Sequence, residues 1–348
     1  MRSTLEREAS SELARLEAAG LRRRIDAPSG IDFASNDYLG LARDARVIAA
    51  ARAALEETGV GATAARLLRG DHPAHRALEL RLAAVEGAED GLLFPSGFHA
   101  NLGVLQTLGR EGWVIVSDAR NHASIIEGCR RAPAEVVVVP HNDVEAVDRA
   151  VRHDRTIVVT EAVFSMAGDL APVEEISAVC ARRGAALIVD EAHALGLLPA
   201  RGAATLRVNP CGKALGGAGA VVTGPRVVLD LLRSTCRSFL FTTAPPPAVA
   251  AAVLAALGVA EAEPWRAQRA LDLARRVDPA ARSCIVPVRC ESNESALRAQ
   301  ARLRELGLDV RAVRPPTVPH AMLRLSIHAD RTDAEVERLR TGLEEVLP

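Results

Sequence analysis

Short apolar stretches rich in β-branched residues alternate, in the middle of the chain, with longer stretches that have helical spacing. The apolar stretches, each predicted to form a strand, are Val136–Val139, Thr156–Thr160, Ala186–Val189 and Ala220–Thr223. Between them, Asn142–Arg152 and Pro172–Arg183 show helical spacing with polar faces, and Gly184 is predicted to end the second helix. Strands that are apolar throughout and separated by helices predict an α/β domain, with a parallel sheet covered on both faces.

The pattern changes near residues 258–264 and predicts a second, smaller α/β unit. Its shorter runs and closing helix are Cys284–Arg289, Leu308–Val313, Ala321–Ile327 and Thr332–Val346. The charged stretch Thr4–Arg24 has helical spacing and is expected to join this unit. We therefore predict an N-terminal segment over residues 1–36, a large domain over 37–260 and a small domain over 261–348.

The composition narrows the class of partner. The chain has 348 residues and a net charge of -1, which argues against binding nucleic acid or an anionic membrane. The N-terminal stretch is too charged for a secretory signal, and no apolar run has membrane-spanning length. The six cysteines form no Cys-x-x-Cys pair, so we expect reduced thiols in the cytoplasm and no metal site.

Lysine is almost absent from the chain. Of the 43 lysine and arginine residues, only Lys213 is a lysine. A lysine amine can lose its proton in a buried site and add to a carbonyl carbon, which a guanidinium cannot do. Lys213 lies between Gly212 and Gly216, where a backbone or cofactor can approach closely. The alternative is that an arginine-rich composition removed the other lysines and this one survived by drift.

Two carboxylates follow predicted strands of the sheet. Glu161 comes after one apolar stretch and Asp190 after the next, with His193 three residues further on. Ligands of parallel sheets bind beyond these carboxyl ends, where a carboxylate needs a cation or a hydrogen-bond donor. An aspartate at a strand end can equally cap the next helix, and this alternative stays open.

Two further stretches mark predicted helix starts. Ser96–Asn101 follows an apolar run, and the free backbone amides of such a start can hold a phosphate group. Asn121–Ser124 places the His122 imidazole at another helix start. Taken singly, the first stretch is also an ordinary glycine turn, and a lone histidine is more often structural than catalytic.

Several short motifs, in order along the chain, resemble those of the α-oxoamine synthases, a family of pyridoxal-phosphate enzymes with the aspartate-aminotransferase-like fold. The motifs are Ser35–Gly40, Phe94–Phe98, Asn121–Ser124, His141–Asp143, Glu161–Met166, Asp190–His193, Gly212–Gly216 and Arg314–Pro319. The resemblance covers about Leu13 to Glu345. It implies fold type I, in which helices flank the mostly parallel sheet of a large domain and a smaller C-terminal α/β domain follows.

The resemblance implies that pyridoxal 5'-phosphate is the cofactor, bound covalently to Lys213. Asp190 would pair with its pyridine nitrogen and His193 with its ring hydroxyl, while His122 would stack over the ring. The phosphate would be held by backbone amides of one subunit and by threonines from the partner subunit of a homodimer. The amides are those of Gly97 and Phe98, and the threonines of the partner subunit are Thr242 and Thr243. Glu161 and Ser165 would line the site.

On the substrate side, the resemblance assigns Arg324 to the carboxylate of the amino acid. Arg22, Asn36, Arg314 and Thr317 would contact the acyl group or a carboxylate. The implied reaction is the decarboxylative condensation of L-alanine with pimeloyl-CoA or a pimeloyl carrier protein, in biotin biosynthesis. Two alternatives stay open: a relative that uses glycine with acetyl-CoA or succinyl-CoA, and a partner subunit with weakened catalysis.

Two departures from the family pattern motivate the second alternative. Relatives usually carry a threonine three residues before the lysine, where this chain has Pro210, which has neither a hydroxyl nor an amide hydrogen. The segment Asp190–Lys213 is also shorter than in typical members. The strand expected just before the lysine is predicted to be reduced to Leu206–Asn209.

Overall fold

The structure is a computed structural model that describes residues 3–23, 25 and 27–347. In chain order, the strands are β1 (Ile31–Asp32), β2 (Asp90–Phe94), β3 (Val114–Asp118), β4 (Glu135–Val139), β5 (Thr156–Glu161), β6 (Ala186–Asp190), β7 (Leu206–Pro210), β8 (Ala220–Gly224), β9 (Ile285–Arg289), β10 (Leu308–Asp309), β11 (Arg311–Val313) and β12 (Met322–Ser326). The helices are α1 (Thr4–Ala18), α2 (Ala45–Thr58), α3 (Pro73–Glu86), α4 (Gly97–Leu108), α5 (Ala123–Arg131), α6 (Val144–Ala150), α7 (Val173–Arg183), α8 (Arg226–Thr235), α9 (Arg237–Leu240), α10 (Pro247–Ala262), α11 (Trp265–Val277), α12 (Asn293–Glu305) and α13 (Asp333–Val346).

A seven-stranded sheet with the order β2-β8-β7-β6-β5-β3-β4 forms the centre of the molecule. The five strands from β3 to β7 are parallel to one another, as the apolar runs predict. Strand β8 runs antiparallel to both β7 and β2. The carboxyl ends of β5, β6 and β7 therefore meet at one edge of the sheet.

The central strands of this sheet, such as β3 and β5, are buried on both faces. Successive residues of a strand point to opposite sides, so each strand contributes to two cores. In β5, Val158 packs into a cluster that includes Ile176 of α7. Ile157 and Val159 pack into the other cluster, which includes Leu105 of α4. These two helical layers explain why the central strands are apolar at consecutive positions.

The C-terminal part of the chain forms a smaller unit with its own core. Strands β11, β12 and β9 make an antiparallel sheet, and β10 pairs in parallel with β1 from the N-terminal segment. Phe33 and Leu325 are buried in the same cluster, so residues next to β1 pack into this core. The predicted boundary at residue 260 falls within the last turn of α10, and the division into domains stays a prediction.

Three predicted elements differ in the structure. The run Leu308–Val313 is two strands in different sheets, because β10 pairs with β1 whereas β11 pairs with β12. Helix α6 is shorter than predicted, since the Asp143 side chain accepts a hydrogen bond from the Ala146 amide and caps it. The predicted end of the first helix, Arg24, lies outside the described residues, and α1 ends at Ala18.

The predicted strand before the lysine, Leu206–Asn209, is present and is one residue longer, ending at Pro210. Strand β7 runs over five residues, all of them buried, and Pro210 at its end lies opposite Ala220 of β8. A proline at a strand end removes at most one hydrogen bond of the ladder, so the strand tolerates it. Gly184 ends α7 with φ 70°, as predicted.

No single described helix is long and apolar enough to cross a membrane. Helices α10 and α11 meet the length and composition requirement only when taken together, with a bend of 76° between them.

Candidate active site

A cavity of about 390 Å³ lies beyond the carboxyl ends of β5, β6 and β7. Ten residues predicted from the sequence line it: Asn36, Gly97, Phe98, His122, Glu161, Ser165, Asp190, His193, Lys213 and Arg324. Its walls also include residues to which the sequence assigned no function, among them Asn101, Ser124, Met166, Arg311 and Val313. The volume is within the range of about 300–1,000 Å³ that is typical of small-molecule sites.

The lysine and a glutamate face this cavity with altered pKa values. Burial lowers the pKa of the Lys213 amine, although the carboxylates of Asp190 and Glu161 oppose this shift. Burial, and then the charge of Asp190, raises the pKa of Glu161 well above its ordinary value. One carboxyl oxygen of Glu161, Oε1, has no hydrogen-bond partner among the described residues. An amine that loses its proton more readily than an ordinary lysine, and a carboxyl oxygen without a partner among the described residues, are both available to a ligand.

A chain of hydrogen bonds positions Asp190 from behind. Asn101 Nδ2 on α4 donates to Asp190 Oδ2 at 2.6 Å and lies 3.0 Å from Ser124 Oγ on α5. Ser124 Oγ is in turn 2.8 Å from His122 Nδ1. Sequence reasoning missed the roles of Asn101 and Ser124. The sequence signal for Asn101 was its place one helical turn after Gly97, on the face of α4 that the structure shows to be buried.

The sequence left open a helix-capping role for Asp190 and a structural role for His122, and the structure answers the two differently. Asp190 Oδ1 accepts a hydrogen bond from the Ala192 amide within a series of turns, and no described helix begins between β6 and β7. The helix-cap interpretation of Asp190 is therefore wrong. His122 does cap α5, because its Nδ1 accepts from the Ser124 amide at 3.2 Å, and it also lines the cavity.

A second network holds an arginine on the opposite wall. Arg324 Nε on β12 donates to the Ser165 carbonyl oxygen at 2.6 Å, and its Nη1 lies 3.2 Å from Asn36 Oδ1. Arg324 Nη2 donates to the Tyr38 hydroxyl at 3.3 Å, and that hydroxyl is 2.8 Å from His193 Nδ1. Burial lowers the pKa of His193 well below its ordinary value. The sequence assigned no role to Tyr38, although it is the only tyrosine in the chain.

The start of α4 forms one end of the cavity. The Ser96 side chain caps the helix, which leaves the Gly97 and Phe98 amides at its first turn. A Cβ atom on Gly97 would lie 2.7 Å from Pro210 Cγ, so the proline ring packs directly against this glycine. The free amides, the Lys213 amine and the carboxylate of Asp190 suit the phosphate, the aldehyde and the pyridine nitrogen of pyridoxal phosphate.

Arg22, Arg314 and Thr317 do not lie on the walls of this cavity. Arg22 and Arg314 line a second cavity of about 430 Å³, and Arg311 contributes to the walls of both. Arg314 donates to the Gly20 carbonyl oxygen. The hydroxyl of Thr317 accepts a hydrogen bond from Arg23 Nη2 at 3.1 Å. The structure thus separates these three predicted residues from the cavity that contains Lys213.

Thr242 and Thr243 lie between α9 and α10 and line neither of these two cavities. Thr243 is exposed, and the Thr242 hydroxyl lies 3.4 Å from the carbonyl oxygen of Thr243. Their predicted contact with the phosphate of a neighbouring subunit stays a prediction.

Several known proteins are similar to this chain in sequence and in fold. The aminotransferase class I and II family matches residues 28–343. The 8-amino-7-oxononanoate synthase of Anaeromyxobacter dehalogenans (strain 2CP-1 / ATCC BAA-258) is 44% identical over 383 aligned positions, which cover 97% of this chain and 95% of that protein. Serine palmitoyltransferase of Sphingomonas wittichii has a TM-score of 0.91 at 30% identity, covering 99% of this chain and 98% of its own. A serine palmitoyltransferase variant from S. paucimobilis, with a bound PLP–myriocin aldimine, has a TM-score of 0.87 at 28% identity, covering 99% of both chains.

The chain belongs to the aminotransferase class I and II family and, within it, to the α-oxoamine synthases, as predicted. The predicted fold class is confirmed as well: a mostly parallel sheet flanked by helices, with a smaller C-terminal unit. The chain is an enzyme that depends on pyridoxal 5'-phosphate. Several relatives at 44–45% identity bear the name 8-amino-7-oxononanoate synthase.

Proposed function

We propose that this enzyme condenses L-alanine with a pimeloyl thioester and releases carbon dioxide, which is the reaction of an 8-amino-7-oxononanoate synthase in biotin biosynthesis. The observation that carries the proposal is the 44% identity to such a synthase over 97% of the chain. Identity to the serine palmitoyltransferases of similar fold is lower, at 28–30%. We further propose a cytoplasmic homodimer whose two subunits share their active sites.

The reaction balances without an added oxidant or reductant. The alanine Cα loses its proton and forms a bond to the thioester carbonyl carbon, and the thiol of the carrier leaves. The alanine carboxylate then departs as carbon dioxide, and the same carbon regains a proton. When bound, pyridoxal phosphate supplies the electron sink that stabilises the carbanion at Cα. The neutral amine of Lys213 removes the Cα proton, and its burial favours that neutral form.

Residues at the ends of β6 and α4 bind and orient the cofactor in this proposal. Asp190 keeps the pyridine nitrogen protonated, and the hydrogen bond from Asn101 holds the carboxylate in place. The amides of Gly97 and Phe98 bind the phosphate at the start of α4. His122, on the cavity wall, would stack over the ring. A preorganised carboxylate is worth more here than in water, because Asp190 is buried.

The substrates occupy the opposite side of the cavity. Arg324 binds the carboxylate of the amino acid, and its contacts with Ser165 and Tyr38 fix the guanidinium. Arg311 lies on the walls of both cavities, so an acyl chain can extend from the cofactor cavity into the arginine-lined one. In that second cavity, Arg22 and Arg314 would bind the anionic or esterified end of the chain. Asn36, on the wall of the cofactor cavity, and Thr317, which is bound to Arg23, would be further acyl-side contacts.

A substrate panel tests this proposal. We expect kcat/KM to be higher for L-alanine with a pimeloyl thioester than for glycine with acetyl-CoA or succinyl-CoA. One methyl group discriminates by about 10–200-fold in a hydrophobic pocket, so the amino-acid preference should be moderate. The panel should present pimeloyl groups on CoA and on acyl carrier protein, and include L-serine with palmitoyl-CoA.

The blank for the panel is the Lys213→Ala variant prepared in the same way. Faster turnover of glycine, or of L-serine with the palmitoyl thioester, would move the enzyme to another branch of the family. A colourless wild-type protein that neither binds cofactor nor turns over any pair would instead support the alternative of a weakened partner subunit.

The shared site predicts a loss of cofactor affinity when the exposed threonines are changed. Because Pro210 cannot donate to the phosphate, Thr242 and Thr243 should matter more in this chain than in relatives. We expect Thr243→Ala to weaken pyridoxal-phosphate binding by the value of one charge-assisted hydrogen bond, about 1.5–3 kcal/mol. Absorbance titration of the apoenzyme measures this, with Thr341→Ala, exposed on α13, as the control.

Mixed dimers give a sharper test of sharing. Subunits carrying Lys213→Ala supply intact threonines, and subunits carrying Thr242→Ala/Thr243→Ala supply the intact lysine. If one site uses residues from both subunits, the mixed dimer contains one complete site and regains high-affinity cofactor binding. Wild-type affinity in the double threonine variant alone, or no recovery on mixing, would contradict the shared site.

A further inference from the structure

His141 lies between two carboxylates and packs against Phe164, the residue before Ser165 of the cavity wall. Its Nδ1 is 2.9 Å from Asp118 Oδ1, and its Nε2 is 2.6 Å from Asp169 Oδ2. The ring meets Phe164 edge-on, with 4.4 Å between the ring centroids. Both nitrogens are therefore engaged and one side of the ring is packed. The motif His141–Asp143 belongs to the family resemblance, yet the proposed reaction gives it no role.

The next residue binds the same two carboxylates. The Asn142 amide donates to Asp118 Oδ2 at 2.8 Å, and its side-chain Nδ2 lies 3.2 Å from Asp169 Oδ2 and 3.3 Å from the Leu170 carbonyl oxygen. Asn142 has φ 56°, a left-handed conformation that asparagine adopts more readily than most residues. Asp118, His141, Asn142 and Asp169 thus form one hydrogen-bonded group, the His141 cluster.

One arm of the His141 cluster, the hydrogen bond between His141 and Asp169, supports the loop that faces the substrate. The Phe164 amide donates to the Asp169 carbonyl oxygen at 2.9 Å, which closes the loop between them. Ser165 and Met166, within this loop, form part of the cavity wall. The Ser165 carbonyl oxygen accepts the 2.6 Å hydrogen bond from Arg324. A displacement of Asp169 would therefore move the acceptor that fixes the guanidinium.

The other arm, the hydrogen bond between His141 and Asp118, supports the turn that precedes His122. Asp118 Oδ1 accepts from the Arg120 amide at 2.7 Å, and the Asp118 carbonyl oxygen accepts from the Asn121 amide at 3.2 Å. Asn121 Nδ2 also donates to the Val159 carbonyl oxygen on β5. This turn leads directly into His122, which lines the cavity.

We propose that His141 is a positioning residue that joins two walls of the active site: the loop that bears Ser165, and the turn before His122. Its bonds to Asp169 and Asp118 set the distance between Arg324 on one wall and the cofactor contact on the other. An amino acid bound between them meets both groups in a fixed geometry, which is where a misplacement of about 1 Å can cost about 10²-fold in rate. The inference rests on the proposed function in taking an amino acid as the ligand of Arg324.

The test uses the holoenzyme with one change in each arm. Asp169→Asn weakens only the arm toward Ser165, and its partly exposed side chain makes the change tolerable to the fold. We expect the KM for L-alanine to rise about tenfold, as for the loss of one hydrogen bond to a charged group. The value of kcat should fall less than about threefold and the cofactor affinity less than about twofold, since the residues that hold the cofactor keep their contacts.

His141→Phe removes both arms and keeps a ring against Phe164. It should raise the KM for L-alanine at least as much as Asp169→Asn does, and should also lower cofactor affinity through the His122 wall. Asp118→Asn should reproduce the second effect. His153→Phe, an exposed histidine, is the matched control and should change none of these values.

Thermal unfolding separates positioning from stability. If Asp169→Asn and His141→Phe lower the unfolding temperature yet leave the KM for L-alanine unchanged, His141 is only structural and the inference is wrong. The absorbance change that L-alanine or glycine produces in the holoenzyme measures amino-acid affinity without turnover. A wild type with no synthase activity, whose amino-acid affinity still falls in Asp169→Asn, would overturn the proposed reaction and leave the positioning role intact.

Discussion

Replacing Lys213 with alanine should abolish covalent attachment of the cofactor and remove the base that takes the Cα proton. Loss of a general base alone costs about 10²–10⁴-fold in rate, before the lost covalent link is counted. The amine has no substitute, because Lys213 is the only lysine in the chain. Its lowered pKa and its position between the carboxylates of Asp190 and Glu161 favour a reactive amine at this place.

Borohydride reduction of the holoenzyme followed by peptide mass mapping measures the attachment. The cofactor mass should appear on the peptide that contains Lys213. Lys213→Arg is the matched control for charge: it keeps a cation in the cavity but should not restore the adduct or turnover, since a guanidinium cannot form the link. An unmodified Lys213 in protein saturated with cofactor would contradict the assignment.

Replacing Asp190 with asparagine should give the second largest loss, by preventing protonation of the pyridine nitrogen. The shape of the side chain is unchanged, and the Asn101 amide can rotate so that its oxygen meets the new amide, so we expect the fold to persist. The rate at which solvent deuterium enters the Cα position of L-alanine should fall by on the order of 10²-fold or more, since a preorganised electrostatic contact is lost.

Asp272→Asn, on the exposed surface of α11, is the control for the loss of one carboxylate elsewhere. It should leave the exchange rate and the absorbance of the bound cofactor unchanged. Asn101→Ala should give a smaller fall than Asp190→Asn, because it frees the carboxylate without neutralising it. If exchange in Asp190→Asn equals that of the wild type, Asp190 does not act on the cofactor.

Local pattern was enough to predict the parallel core of the sheet and the carboxylates at its edge. Strands buried on both faces must be apolar at consecutive positions, and this makes β5 and β6 visible in the sequence. Because these strands are parallel neighbours, Glu161 and Asp190 occur in register, side by side. The family resemblance also assigned Arg324 and Lys213 to the site, and both line the cavity.

Several features depend on contacts between distant parts of the chain. The single run Leu308–Val313 divides because its two halves pair with different strands. The antiparallel direction of β8 follows from its neighbours in the sheet, not from its own residues. The separation of Arg22 and Arg314 from the cofactor cavity likewise depends on how the N-terminal segment packs against the strands near β11.

The sequence by itself determined the fold class, the unique lysine and the order of the motifs, because each is written in consecutive residues or in composition. Only the tertiary structure decided that Asn101 holds Asp190, that Tyr38 links Arg324 to His193, and that His141 joins two walls of the site. Three of these hydrogen bonds connect residues 89, 155 and 286 positions apart. No local pattern encodes such pairs, since their distance is set by packing of whole helices and strands.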